Sequence, residues 1–375
     1  MRRAALLAAL QLIALQQPAV ARPLPKVDPR IATQEPPRDE PRRDEFQRGV
    51  CYAHAWRGAF GDAGYGSEAS LATLRRLRTL GVNWISLTPF GYMGSTSSTA
   101  IRRFPGGETD ERITVETQRA HTLGIRVALK PHLWLRGGAW QGALTFEDEA
   151  AFDAWLAEYR AFVLSYADLA EREKIDLLVV GTELKSATAR GEAKWRALIS
   201  DVRARYRGPL TYAANWDEAE HVPFWDALDF VGVQAYEPIA SHAAPPAEEL
   251  AAGWTRVADR LAALSSRTHK KILLTVLGYR ADADAAMAPA TWPEASAKPT
   301  FDPACQAACY RAAFDALWGR PWLAGIYVWK WFSDSRDEQG PTDFSPAGKP
   351  AEQVMGAFYR RPFAASQQKP PSRKR

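Results

Sequence analysis

The chain has 375 residues, 46% hydrophobic and 24% charged, an ordinary globular composition that is ample for a large core. Its formal charge of +5 lies at the two ends. Arg2 and Arg3 open the chain, while Lys369, Arg373, Lys374 and Arg375 close it; the nearly neutral body between excludes the basic footprint of a nucleic-acid binder.

In chain order, residues 1–21 read as an export signal. Arg2 and Arg3 precede an apolar run from Ala4 to Leu15, too short to span a bilayer, and Ala19-Val20-Ala21 is a small-x-small cleavage site. The mature protein is expected outside the cytoplasm, extracellular or periplasmic, with no integral membrane segment and as a monomer. Residues 22–48 are rich in proline and in charges of both signs, a linker that cannot bury enough apolar surface to fold. Residues 361–375 read as a disordered basic tail.

From Gly49 to residue 360 the texture changes. Eight short runs rich in β-branched and aromatic residues predict strands at Gly49–His54, Trp84–Pro89, Arg126–Trp134, Leu177–Glu183, Leu210–Trp216, Phe230–Tyr236, Ile272–Leu277 and Gly325–Trp331. Helical patterns fall between most of them, at Glu68–Leu80, Glu111–Leu123, Glu149–Arg172, Glu192–Tyr206, Ala247–Leu264 and Pro303–Leu317, with a last one at Ala351–Tyr359. The connection from Glu218 to Leu228 is short and only weakly helical. Strands alternating with helices imply a parallel sheet, and eight is the number that closes a (β/α)8 TIM barrel. A doubly wound sheet would carry a Gly-rich phosphate turn after its first strand, which "CYAHAWRG" lacks.

In a barrel the chemistry belongs to the C-terminal strand ends. These offer His54 and Trp56; Lys130, His132 and Trp134; Glu183; Asn215 and Trp216; Tyr236 and Glu237; Val276 and Tyr279; and Trp329 and Trp331. Aromatic faces beside a few convergent polar groups outline a sugar cleft. His54 and His132 stand alone on different strands, without the paired spacing of metal ligands, and neither metal nor cofactor is expected. Cys305 and Cys309 lie one helical turn apart, as two thiols on one face or an oxidisable pair; with Cys51 they form no disulfide framework. Glu183 leaves an apolar strand, "LLVVGTE", at a place where desolvation raises a carboxyl's pKa enough to keep a proton for donation.

The stretches "KPHLWL" (130–135), "YADLAEREKIDLLVVGTELKS" (166–186), "GPLTYAANWDEA" (208–219), "FWDALDFVGVQAYEP" (224–238) and "YVWKW" (327–331) resemble glycoside hydrolase family 113, β-mannanase-like retaining barrels. The resemblance spans Gly49 to about Tyr359. It implies Glu183 as general acid/base and Tyr236 as the tyrosine near the nucleophile. It also implies a cleft lined by Lys130, His132, Trp134, Asn215, Trp216 and Trp329, for a β-linked, mannan-type oligo- or polysaccharide.

The family's nucleophile is the glutamate of a Thr-Glu-x-Gly-Tyr pattern; this chain reads Thr275-Val276-Leu277-Gly278-Tyr279. Retention needs a carboxylate about 5–5.5 Å from the acid, and valine neither attacks nor stabilises positive charge. Three readings stay open. Another carboxylate, Glu237 first and then Asp217 or Asp334, activates water and inverts; the protein binds saccharide without turnover; or the substrate brings its own nucleophile.

Overall fold

The computed structural model describes residues 45–56, 62–104, 106–291 and 298–363. The expected export signal, nearly all of the linker and residues 364–375 of the tail lie outside the described residues. The strands are β1 (Gln47–Ala53), β2 (Trp84–Leu87), β3 (Phe90–Met93), β4 (Arg102–Arg103), β5 (Arg126–Leu129), β6 (His132–Leu135), β7 (Leu177–Thr182), β8 (Leu210–Asn215), β9 (Phe230–Ala235), β10 (Ile272–Gly278) and β11 (Leu323–Phe332). The helices are α1 (Glu68–Thr79), α2 (Asp110–Thr122), α3 (Glu149–Arg172), α4 (Lys185–Thr188), α5 (Glu192–Arg205), α6 (Ala247–Thr268), α7 (Pro303–Leu317) and α8 (Pro350–Tyr359).

Eight strands close a parallel barrel in the order β1-β11-β10-β9-β8-β7-β5-β2, the (β/α)8 fold. Side chains alternate across the wall. On β11, Tyr327 joins the barrel-interior cluster with Cys51, Trp84, Ala128, Leu177, Leu273, Val276 and Ala324, while Ile326 and Val328 pack outward under the helices. Helix starts follow the capping chemistry of the sequence. Ser67 accepts from Ser70 N at 3.1 Å, Asp148 from Ala151 N at 2.7 Å, and Asp302 from Cys305 N at 2.8 Å, just ahead of Pro303.

Three features depart from the sequence reading. The expected strand Arg126–Trp134 is two strands, because Pro131 has no N–H to continue the ladder. Past the break, β6 leaves the barrel and pairs in parallel with β3, which pairs antiparallel with β4, so a three-stranded sheet stands beside the barrel mouth. The first strand starts at Gln47, two residues inside the expected linker. Gln47 Oε1 accepts from Tyr327 OH at 2.7 Å, and Phe46 stacks on Phe363 with ring centroids 3.8 Å apart. On β10 the pairing with β9 slips between Leu274 and Val276. That bulge turns Val276 into the interior three residues after Leu273 and sends Leu277 outward.

Candidate functional site

Glu183 is the residue after β7, and its backbone is left-handed, with φ of 51°. That conformation costs a non-glycine residue on the order of 1–3 kcal/mol and persists only where neighbours impose it. Here the Glu183 N–H donates to Ala213 O at 2.9 Å. The next N–H, of Leu184, donates to Tyr212 OH at 2.7 Å, and that hydroxyl donates to Glu218 Oε1 at 2.7 Å. Buried Glu218 also accepts from Thr188 Oγ1 at 2.6 Å and from Asn215 N at 3.1 Å. Gly181 lets β7 pass close over this network, since a Cβ there would fall 2.9 Å from the Tyr212 ring and 3.0 Å from Tyr159 OH.

The Glu183 carboxyl receives two donors on one oxygen. Trp140 Nε1 lies 3.0 Å and Gln141 Nε2 2.8 Å from Oε2. Burial raises its pKa, against the donors Trp140, Gln141 and Gln234 and the Lys130 charge, which pull it down. His132 is tied to the same group. Its Nδ1 lies 2.8 Å from Leu133 O, so that nitrogen donates and Nε2 faces Gln141 Nε2 at 3.4 Å. Burial, with the Lys130 charge, lowers the His132 pKa to about 4, so the ring is neutral near pH 7.

Lys130, buried between β5 and β6, points its ammonium at the barrel interior. Nζ lies 3.8 Å from Cys51 Sγ and 5.6 Å from the centroid of the Trp329 ring. Val276, Tyr236 and Trp329 border the same interior cluster. Trp134 and Trp56 are exposed, at 52% and 43%, and Trp216, half-buried, stacks with Arg260 at 5.6 Å. Asn215 Nδ2 donates to Asp217 Oδ1 at 2.9 Å.

Several expected cleft residues are engaged elsewhere. Trp331 is buried in the outer core beneath the Arg76 guanidinium of α1, and Tyr279 faces the helix layer, where its hydroxyl accepts from Trp254 Nε1 at 2.9 Å. Alternation after inward-facing Val276 turns Tyr279 away from the barrel axis, whereas Trp331, of the same parity as Trp329, is turned outward by the register shift where Cys51 and Tyr52 of β1 pair with Trp329 and Trp331. His54 lies flat over Gly64, where a Cβ would fall 2.1 Å from its ring, and accepts from Tyr65 N at 3.0 Å. Burial pushes its pKa to about 3, so it anchors the first loop as a neutral ring. Glu237 is buried and ion-paired with Arg260 of α6. Asp217 is held by Lys185 at 2.5 Å and Asp334 by Arg336 at 2.5 Å. Cys305 and Cys309 are buried free thiols, and Cys305 Sγ donates to Ala283 O at 3.8 Å.

The sequence reading missed Trp140, Gln141, Gln234 and Glu108. Gln234 was findable as the one polar side chain in the apolar run "FVGVQA"; Trp140 and Gln141 lie in an irregular loop where no periodicity places a side chain. Glu108 lines a cavity of about 310 Å³ with Phe90, Phe104 and Arg103, and burial raises its pKa to about 7. Phe90 is also 5.4 Å from His132, so this cavity adjoins the Glu183 site. Among the described residues no group of three or more His, Cys, Asp or Glu is placed to hold a metal ion, and no helix is long and apolar enough to cross a membrane.

A carboxylic acid pushed toward its neutral form at the mouth of a (β/α)8 barrel, beside exposed indoles, is glycoside hydrolase architecture. Residues 53–349 match the model of Glycoside Hydrolase Family 113, and the chain belongs to that family. It is similar to the GH113 β-mannanase AaManA from Alicyclobacillus acidocaldarius, at 28% identity over 84% of this chain and 97% of that one, with a TM-score of 0.73. A GH113 β-1,4-mannanase matches at 27% identity over 85% of this chain and all of its own, also at 0.73. A family 5 mannosidase from Rhizomucor miehei, at 10% identity over 84% of this chain and 92% of its own with a TM-score of 0.59, shares the fold. No curated protein matches the chain.

Proposed function

We propose that this chain is an exported saccharide-binding protein that holds a β-linked, mannan-type oligo- or polysaccharide against Glu183 and does not run the two-carboxylate retaining reaction. The carrying observation is Val276, packed among apolar side chains at the β10 exit where catalysis would need a carboxylate. Each substitute carboxylate is already held by a cation: Glu237 by Arg260, Asp217 by Lys185, Asp334 by Arg336. A carboxylate so paired is a poor base for activating water, since the cation stabilises its charged form. Similarity to β-mannanases motivates the sugar, and the exposed indoles supply stacking faces.

One observation favours a second reading, hydrolysis with Glu183 as general acid. Its burial and donors are those of a proton donor, and general acid catalysis alone supplies about 10²–10⁴-fold. Calorimetry with manno-oligosaccharides, run beside an assay for released reducing ends, separates the two. Binding without release supports the proposal; release abolished by Glu183→Gln replaces it with the hydrolytic reading; no binding and no release removes both. In Val276→Glu, retaining hydrolysis is expected to appear if the second carboxylate is all that is missing.

A further inference from the structure

Lys130 is a buried lysine without an ion-pair contact: among the described residues no carboxylate oxygen lies within 4.0 Å of Nζ. The groups that face it are the Cys51 thiol, the Trp329 ring, neutral His132 and Glu183, whose pKa burial raises and the Lys130 charge lowers. Position 276 lies in the same interior cluster as Cys51, and Cys51 Sγ, 3.8 Å from the ammonium, is 3.4 Å from the carbonyl of the preceding Thr275; Val276 supplies no charge there. Nearby acids do not compensate, because Glu237, Asp217 and Asp334 pair with their own cations. Burying an ammonium without a counter-charge is unfavourable, and a bound anion relieves it. The neutral remainder of the mouth, indoles and amides, is suited to a sugar ring.

We propose that the saccharide seated over Val276 carries a carboxylate, as a uronic acid unit does, and that Lys130 recognises it. This rests on the saccharide reading above and narrows it, since a β-linked chain of mannuronate has the backbone of a mannan with a carboxylate on each unit. The sugar's carboxylate takes the place of the acid that Val276 lacks and becomes the partner of a preformed cation. Charge-assisted hydrogen bonds to such a group are among the stronger polar contacts.

The test is calorimetric titration of the full chain, near neutral pH, with β-1,4-linked mannuronate oligosaccharides and with neutral manno-oligosaccharides of equal length. The uronates are expected to bind more tightly by on the order of ten- to a hundred-fold. In Lys130→Met that ratio falls to about one, and Val276→Glu, which gives the ammonium an internal partner, erases it too. The proposal is overturned if the neutral sugars bind as tightly as the uronates, or if the preference survives in Lys130→Met. It is also overturned if free acetate tightens neutral-sugar binding as much as the attached carboxylate does, because the anion is then not the sugar's. Should Lys130→Met fail to fold, the wild-type ratio and Val276→Glu decide. Binding of neither class is a different result, which removes the saccharide reading itself.

Discussion

The Trp140 indole donates to Glu183 Oε2 at 3.0 Å, so the protonation of this acid is visible optically. A donor to a carboxylate favours the charged form, and burial opposes it; burial prevails and the pKa is raised. Tryptophan fluorescence followed against pH is therefore expected to show a step above the ordinary carboxylate range that vanishes in Glu183→Gln. Trp140→Phe removes a donor and is expected to move the Glu183 titration, read by carboxyl-labelled NMR, further up. A downward move would mean that the indole's bulk, through desolvation, outweighs its hydrogen bond. Residues of this kind divide what the sequence disclosed from what it withheld. The raised pKa of Glu183 was legible because an apolar strand ends on it. Trp331 and Tyr279 were placed in the cleft by proximity to strand ends; alternation turned Tyr279 outward, and a bulge in β11 after Trp329, which no sequence pattern announces, turned Trp331 outward. The pairing of Glu237 was hidden because Arg260 lies 23 residues away on another element.

Tyr212 shows how one strand fixes the functional geometry of its neighbour. Its hydroxyl joins the backbone of Leu184, the residue after Glu183, to buried Glu218 beyond β8. Tyr212→Phe leaves the Leu184 N–H without its acceptor and removes a donor from Glu218, which costs about 1–3 kcal/mol for a buried group. Denaturant unfolding measures that loss. A specific effect on the site is expected as well, because the left-handed Glu183 backbone loses its restraint; saccharide affinity should fall in Tyr212→Phe by more than in Tyr159→Phe, whose hydroxyl bonds Val180 O at 2.9 Å. Equal losses in the two variants would reduce the network to ordinary core packing. At this scale most strands and helices were readable from apolar runs, caps and β-branched content. The β3-β4-β6 sheet was not. Its strands of four, two and four residues carry too little periodicity, and β3 and β6 run on from the barrel strands β2 and β5 across the short breaks at Pro89 and Pro131.

Across the whole molecule, pH acts through carboxyls that the barrel buries. Glu116 on α2 is completely buried, accepts from Gly66 N at 2.6 Å and from Ser70 Oγ at 2.7 Å, and burial raises its pKa to about 7. Glu108, buried beside the cavity, is raised to about 7 for the same leading reason. An acid whose folded pKa exceeds its unfolded one binds protons more tightly when folded, so its stabilising contribution is full below the unfolded pKa and is lost as pH rises through the folded one. The window here runs from about pH 4.5 to about 7, and a shift of that size is worth about 3 kcal/mol for each group at most. Unfolding by urea is thus expected to require less denaturant at pH 8 than at pH 5. Glu116→Gln keeps a neutral side chain of the same shape at every pH, so it should match the wild type near pH 5 and exceed it near pH 8 by an amount of that order. A wild type whose stability rises between those two values, or a Glu116→Gln curve that stays parallel to it, would show that the Gly66 and Ser70 donors hold Glu116 ionised. Burial would then have lost to hydrogen bonding at the junction that ties α1 to α2 behind the first strand.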